Sequence, residues 1–245
     1  MRRLAPLALV LLIGCRSTSE REVVVVLAAA SLRESFTAIE AAFEAEQPGI
    51  DVELSFGGSQ LLATQIVEGA RVDVFASANP EQLDRVAAER ALVGRRHFTS
   101  NRLVLAVPRD GKVATLEQLD DAGVRVVLAG EAVPAGKYAR EALQQLGLAD
   151  GVLANVVSNE IDVRGVVGKL LAGEADGGIV YATDLRGLDD RLQSIELGVA
   201  LDARYELALL DDGEHRHAAE AFAEFVSGAA GQAILREHGF ALHHD

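Results

Sequence analysis

The sequence predicts an α/β protein in which parallel sheets, covered by helices on both faces, are divided between two lobes. Three observations lead there. Strand-like and helix-like segments alternate along nearly the whole chain. Several strand segments are continuous apolar runs, such as Val23-Val24-Val25-Val26-Leu27, the pattern of a strand buried on both faces. Finally, four helices open directly after a strand on small or neutral residues: Ala30-Ser31-Leu32, Gly57-Gly58-Ser59, Pro134-Ala135-Gly136 and Asp162-Val163. The regular units are too few for an eight-fold barrel. A chain of 245 residues, 49% hydrophobic, suffices for one large domain or two small lobes with a real core.

The first residues read as a targeting segment. Arg2 and Arg3 precede an apolar run, Leu4 to Ile13, that is too short to cross a bilayer. Leu12-Ile13-Gly14-Cys15 follows and resembles the lipobox of bacterial lipoproteins, where cleavage precedes an acylated Cys. Residues 1–14 are thus expected to be a lipoprotein signal peptide, Cys15 the lipidation site and 15–22 a polar tether. Cys15 is the only Cys, so no internal disulfide can form.

The elements follow in order. After the strand at 23–27, Leu32, Phe36, Ile39 and Phe43 share a helical face, and Ser31 with Glu34 has the spacing of a capping box. Asp51 to Phe56 alternates as a strand. Leu61, Leu62 and Ile66 mark a second helix that Gly69 ends. Val72 to Phe75 is a third strand, and Asn79-Pro80 opens a third helix with Pro at its first position. Leu103 to Val107 is a strand stopped by Pro108. Val124 to Ala129 is another, followed by a helix from Ala135 to Leu146. Leu153 to Val157 reads as a short strand, Asp162 as the cap of a helix through Leu171, and Gly178 to Tyr181 as a buried strand. Tyr205 to Leu210 is one more strand, and two helices close the chain, one lined by Phe222, Phe225 and Val226, the other by Ala233 and Ile234. The strands near 103–107 and 205–210 are candidates for the crossings between lobes. Residues 23–101 with 205–245 would then form lobe 1, and 102–204 lobe 2.

Charge narrows the function. With 23 Lys+Arg against 37 Asp+Glu, the net charge of -14 argues against nucleic acid. A helix N-terminus presents unpaired N–H groups and a partial positive charge, and several aimed at one point make an anion site. All four helix starts follow strands, and ligands of open α/β sheets bind beyond the carboxyl ends of strands. A chain this acidic that held an oxyanion would have to hold it with neutral dipoles in a closed pocket.

These segments resemble the molybdate-binding proteins of ABC transporters. The matching stretches are Ala28 to Leu32, Leu54 to Ser59, Asp73 to Asn79, Val133 to Ala139, Asp162 to Arg164 and Gly173 to Tyr181, in the family's order over residues 23 to 240. The resemblance implies a two-lobed type II periplasmic binding protein fold with molybdate or tungstate in the cleft between lobes. It implies five contacts to the oxyanion's oxygens: the hydroxyl and N–H of Ser31, Ser59, the N–H groups of Ala135 and Val163, and Tyr181. No residue would ligate the metal directly and no cofactor is implied. The implied protein is a monomeric receptor, not an enzyme, held by its lipid at the extracytoplasmic face and delivering the ion to ABC permease membrane subunits. Two residues depart from the family pattern: Gly58 stands where Ala or Ser is common, and Gln60 where Gly or Thr is common.

The residue chemistry fits that implication. The five contacts are neutral donors, which is what an unprotonated dianion requires. Phosphate, which often carries a proton, would also need an acceptor. Sulfate shares molybdate's charge and shape and stays open as an alternative, as does, more remotely, a lipid-anchored α/β hydrolase. Absent the resemblance, Ser31 reads as an N-cap, Tyr181 as a half-buried core residue and Arg164 as an ion-pair partner. Gly130 to Tyr138 looks like a P-loop, but it has one residue too many and Tyr in place of Ser or Thr. His215, His217, His238, His243 and His244 read as surface or tail residues, since no Cys joins them.

Overall fold

The computed structural model describes residues 21–199 and 201–241. The expected signal peptide and the lipidation site Cys15 lie outside the described residues. In chain order the elements are β1 (Glu22–Ala29), α1 (Arg33–Glu46), β2 (Ile50–Gly57), α2 (Ser59–Val67), β3 (Val74–Ser77), α3 (Pro80–Ala87), β4 (Leu92–Pro108), β5 (Val126–Ala129), α4 (Pro134–Gln145), α5 (Ala149–Ala154), β6 (Val156–Glu160), α6 (Val163–Leu171), β7 (Gly177–Tyr181), β8 (Leu192–Glu196), β9 (Asp202–Leu210), α7 (Arg216–Ser227) and α8 (Ala229–Glu237). Among the described residues no helix is long and apolar enough to cross a membrane.

The strands run in the order β2-β1-β3-β9-β4-β7-β5-β6, with β8 also on β4. β1 is parallel to β2 and β3, as its all-apolar run requires, and β5 is parallel to β6 and β7. β9 runs antiparallel between β3 and β4. β4, 17 residues long, ties the two parts together. Its first portion, Leu92 to Arg102, pairs with β9; its second, Leu103 to Pro108, pairs with β7 and β8.

Local structure departs from the sequence expectations at four places. β4 begins at Leu92, not near 103. Its early part carries Arg95, Arg96 and His97 and is broken by two register shifts, which hide its period in the sequence. Leu153 and Ala154 belong to α5, and the strand expected from 153 begins at Val156. β8 was not anticipated, its exposed residues giving little apolar signal. The Ser31–Glu34 capping box does not form: Ala30–Leu32 is a 3-10 turn and α1 starts at Arg33 with no side-chain cap. Ser31 instead meets the Tyr205 hydroxyl, and Glu34 pairs with Arg164. The cap expected of Asp162 is present, its carboxylate accepting from the Gly165 N–H at 3.0 Å.

The chain has 8 Phe, 3 Tyr and no Trp. Six of the Phe and two of the Tyr form one series of edge-to-face ring contacts. It runs from Phe225 through Phe43, Phe222, Phe36 and Phe98 to Tyr205, which also touches Phe240 and Tyr181. Such pairs add to the burial energy of the rings and fix their orientation. Phe222, fully buried, joins α7 to α1 through Phe43 at 5.3 Å and Phe36 at 6.2 Å. Replacing it, Phe222→Ala, is expected to cost about 3–5 kcal/mol of unfolding free energy. Urea denaturation checks this; a loss below about 1 kcal/mol would mean that the ring series does not organise this core.

Candidate functional site

The structure brings all five sequence-predicted contact residues, Ser31, Ser59, Ala135, Val163 and Tyr181, to the lining of one pocket. They arrive from separate connections: the turn after β1, the start of α2 after β2, the start of α4 after β5, the start of α6 after β6, and the end of β7. Each is at least nine-tenths buried. The free volume is about 10 Å³, close to what a single water needs, so the walls are drawn tightly around room for one small guest. No Lys, Arg or His lines it.

Local structure leaves unpaired donors on the residues of this lining. Ser59 and Val163 are the first residues of their helices and Ala135 the second, so their N–H groups have no intrahelical acceptor. Gly136 lets α4 start hard against β5, since a Cβ there would lie 2.1 Å from the Gly130 carbonyl oxygen. The Ser59 hydroxyl oxygen accepts from the Ala78 N–H at 3.1 Å, which leaves its hydrogen to donate. The Ser31 and Tyr205 hydroxyls are 2.8 Å apart. Asp162, the one charged residue in the lining, has its carboxylate engaged by its own helix.

Tyr181 is the most telling member. Its hydroxyl is buried and has no hydrogen-bond partner. A buried polar atom left unpaired costs about 1–3 kcal/mol, and in a native fold it usually marks a place where something else binds. Burial, with neighbouring Tyr205 adding, holds its pKa well above the ordinary phenol value, and burial does the same to Tyr205. Both phenols therefore remain protonated donors at any physiological pH. The Tyr181 N–H donates to the Asp184 carboxylate at 3.0 Å. Loss of hydration pushes the Asp184 pKa up to about 7, opposed by that N–H bond and by Arg164 and reinforced by Glu34 and Asp162. Folding thus raises this group above its ordinary 3.8, so its contribution to stability declines as pH rises between those values.

Sequence reasoning missed Tyr205 as the partner of Ser31, and it missed Asp184. Tyr205 reads as a strand residue, and the contact spans 174 positions, so no local signal exposes it.

A family model described as "Bacterial extracellular solute-binding protein" matches residues 24–241. The chain belongs to this family. It is 36% identical over 223 residues to the molybdate-binding protein ModA of Mycobacterium tuberculosis, covering 89% of this chain and 84% of that relative. Among solved structures, the periplasmic molybdate-binding protein of Azotobacter vinelandii shares the fold with a TM-score of 0.79 at 22% identity, over 90% of this chain and 100% of that one. The sulfate-binding protein SubI of Mycobacterium tuberculosis does so with a TM-score of 0.78 at 16% identity, over 90% and 86%. The fold is therefore the two-lobed type II arrangement. Backbone shape alone does not separate the two oxyanions.

An unpaired buried hydroxyl makes a prediction about the ligand-free protein. Tyr181→Phe removes it without removing the ring. In oxyanion-free buffer this variant should be about 1 kcal/mol more stable than the parent. Urea unfolding checks it, and a loss of stability would show that the hydroxyl has a partner in the fold.

Proposed function

We propose that this chain captures molybdate or tungstate outside the cytoplasm and delivers it to the membrane subunits of an ABC permease. One observation carries the proposal: five neutral donor residues, drawn from separate βα connections, surround one tight pocket with no cation in its lining. A tetrahedral dianion without protons accepts hydrogen bonds at every oxygen and donates none. Bonds to a charged group contribute about 1.5–3 kcal/mol each, so a full set of donors offsets the loss of hydration. Protonated phosphate would need an acceptor, and the one carboxylate in the lining, Asp162, uses one of its two oxygens to cap its own helix. The similarity to ModA supports molybdate over sulfate, which remains the second reading because the sulfate-binding fold is equally close.

In this proposal residues 23–101 with 205–245 and residues 102–204 are the lobes that close over the ion, and closure presents the loaded shape to the permease. Cys15 carries the lipid anchor and the chain acts as a monomer without a cofactor. A binding role is favoured over catalysis by the serines themselves. Ser31 meets a phenol and Ser59 a backbone N–H, and no His lines the pocket to activate either.

Calorimetric titration of residues 15–245 tests this directly. Molybdate and tungstate should bind and raise the melting temperature, and sulfate should do so far less. Ser59→Ala should weaken molybdate binding by roughly tenfold or more, the equivalent of one hydrogen bond to a charged group. No binding of any oxyanion would overturn the proposal; preference for sulfate would replace molybdate with the second reading.

Asp184 adds a pH signature. As pH rises through about 7 it loses its proton, which places a negative charge one hydrogen bond behind Tyr181. Affinity for a dianion should fall above that pH and level off below it. Asp184→Asn should abolish the fall. A titration series between pH 6 and about 9 checks the slope, and an unchanged slope in Asp184→Asn would remove Asp184 from the account.

A further inference from the structure

Among the described residues, three side-chain contacts join the helices α1, α2 and α3 to α4 and the β6–α6 connection across the cleft. Glu34 of α1 pairs with Arg164 of α6 at 2.7 Å, and Glu81 of α3 pairs with Lys137 of α4. Both pairs are well exposed, so water and salt weaken them and each contributes little. The third is different in kind. Gln60, in the first turn of α2, is about nine-tenths buried, and its Nε2 donates to the Ile161 carbonyl oxygen at 2.8 Å. That bond joins β2–α2 to β6–α6, and β2 and β6 are the two ends of the strand order. It is also adjacent to the pocket on both sides: Ser59 precedes Gln60, and Ile161 stands two residues before Val163.

Gly58 makes this contact possible. A Cβ on residue 58 would lie 2.5 Å from the Ile161 oxygen and 2.6 Å from both Gln60 amide heavy atoms, distances that no real Cβ tolerates. Its bare Cα lets the Gln60 side chain fold back and lets the Ile161 carbonyl come close. The two departures from the family pattern noted in the sequence are thus one feature, a small residue and the side chain that fills its space. The Gln60 Oε1 is left buried and unpartnered, an expense tolerated for the sake of the bond across the cleft.

We infer that Gln60, seated by Gly58, is a positioning residue that latches the cleft closed and sets how slowly the oxyanion leaves. The inference rests on the proposed capture of molybdate. The latch closes only after the two helix starts have come together, so it acts on release and leaves encounter unaffected. Breaking a hydrogen bond of this kind changes a rate by about three- to tenfold.

The test is stopped-flow displacement. Protein loaded with molybdate is mixed with excess tungstate to follow release, apo protein is mixed with molybdate to follow association, and both are read by tyrosine fluorescence, since the chain has no Trp. Gln60→Ala and Gln60→Met, the latter close in size and shape but lacking the donor and any charge, should release molybdate about three to ten times faster than the parent. Their association rates should stay within about twofold, and their ligand-free urea midpoints should match the parent's. Gly58→Ala should also speed release, because its Cβ displaces Ile161. Lys137→Gln, which breaks the other exposed pair, should change release by less than about twofold at about 0.15 M salt. Unchanged release in both Gln60 variants would overturn the latch while leaving molybdate capture intact. A slower association that accounts for the whole affinity loss would overturn it equally. Failure of the parent protein to bind molybdate would instead count against the proposed function itself.

Discussion

A doubly charged ion taken out of water must have its oxygens met by groups that donate hydrogen bonds, and in the proposed function the rest of this structure depends on meeting that requirement without a cation. The chain is strongly acidic, with a net charge of -14, and the pocket lining contains no Lys, Arg or His. What remains are amides and hydroxyls. Helix starts supply the amides because their first N–H groups have no partner within the helix. The hydroxyls are supplied by side chains whose other hydrogen bonds are already assigned: Ser59 accepts from Ala78, Ser31 is matched to Tyr205, and Tyr181 is left unpaired.

Holding such donors in place demands a stiff frame, because a donor that relaxes outward finds water instead of the ion. Two features provide it. β4 runs through both halves of the sheet, so the strands bearing Tyr181 and Tyr205 are paired with one continuous backbone. The edge-to-face series of rings then ties Tyr205 and Tyr181 to the α1–α7 core. In a chain with few aromatic residues, concentrating them along this line places rigidity behind the site. Asp184, beneath Tyr181, fixes the end of β7 through its backbone bond while remaining near the point of losing its charge at neutral pH.

Much of the fold was legible in the sequence wherever burial is two-sided and local. The run at Val23 to Leu27 identified β1, Asp162 marked the start of α6, and Gly69 marked the end of α2, where the chain takes positive φ. The pocket itself was less legible, because in the proposed site Ala135 and Val163 would contribute through backbone N–H groups that any residue offers. Their assignment came from the resemblance, not from side-chain chemistry. Contacts between distant segments were not legible at all. Ser31 looked like a cap because nothing near it in the chain announces Tyr205, and the early half of β4 was hidden by charges and register shifts. Gly58 and Gln60 could be noticed as unusual, but only the fold shows that one makes room for the other.

If uncharged donors from both sides of the cleft enclose the ion, a crystal grown with tungstate will show it. The anomalous signal of tungsten should give one strong peak among Ser31, Ser59, Ala135, Val163 and Tyr181, with the Tyr181 hydroxyl within hydrogen-bond distance of an oxygen. A peak elsewhere on the molecule, or one coordinated by an Arg or Lys side chain, would contradict the account.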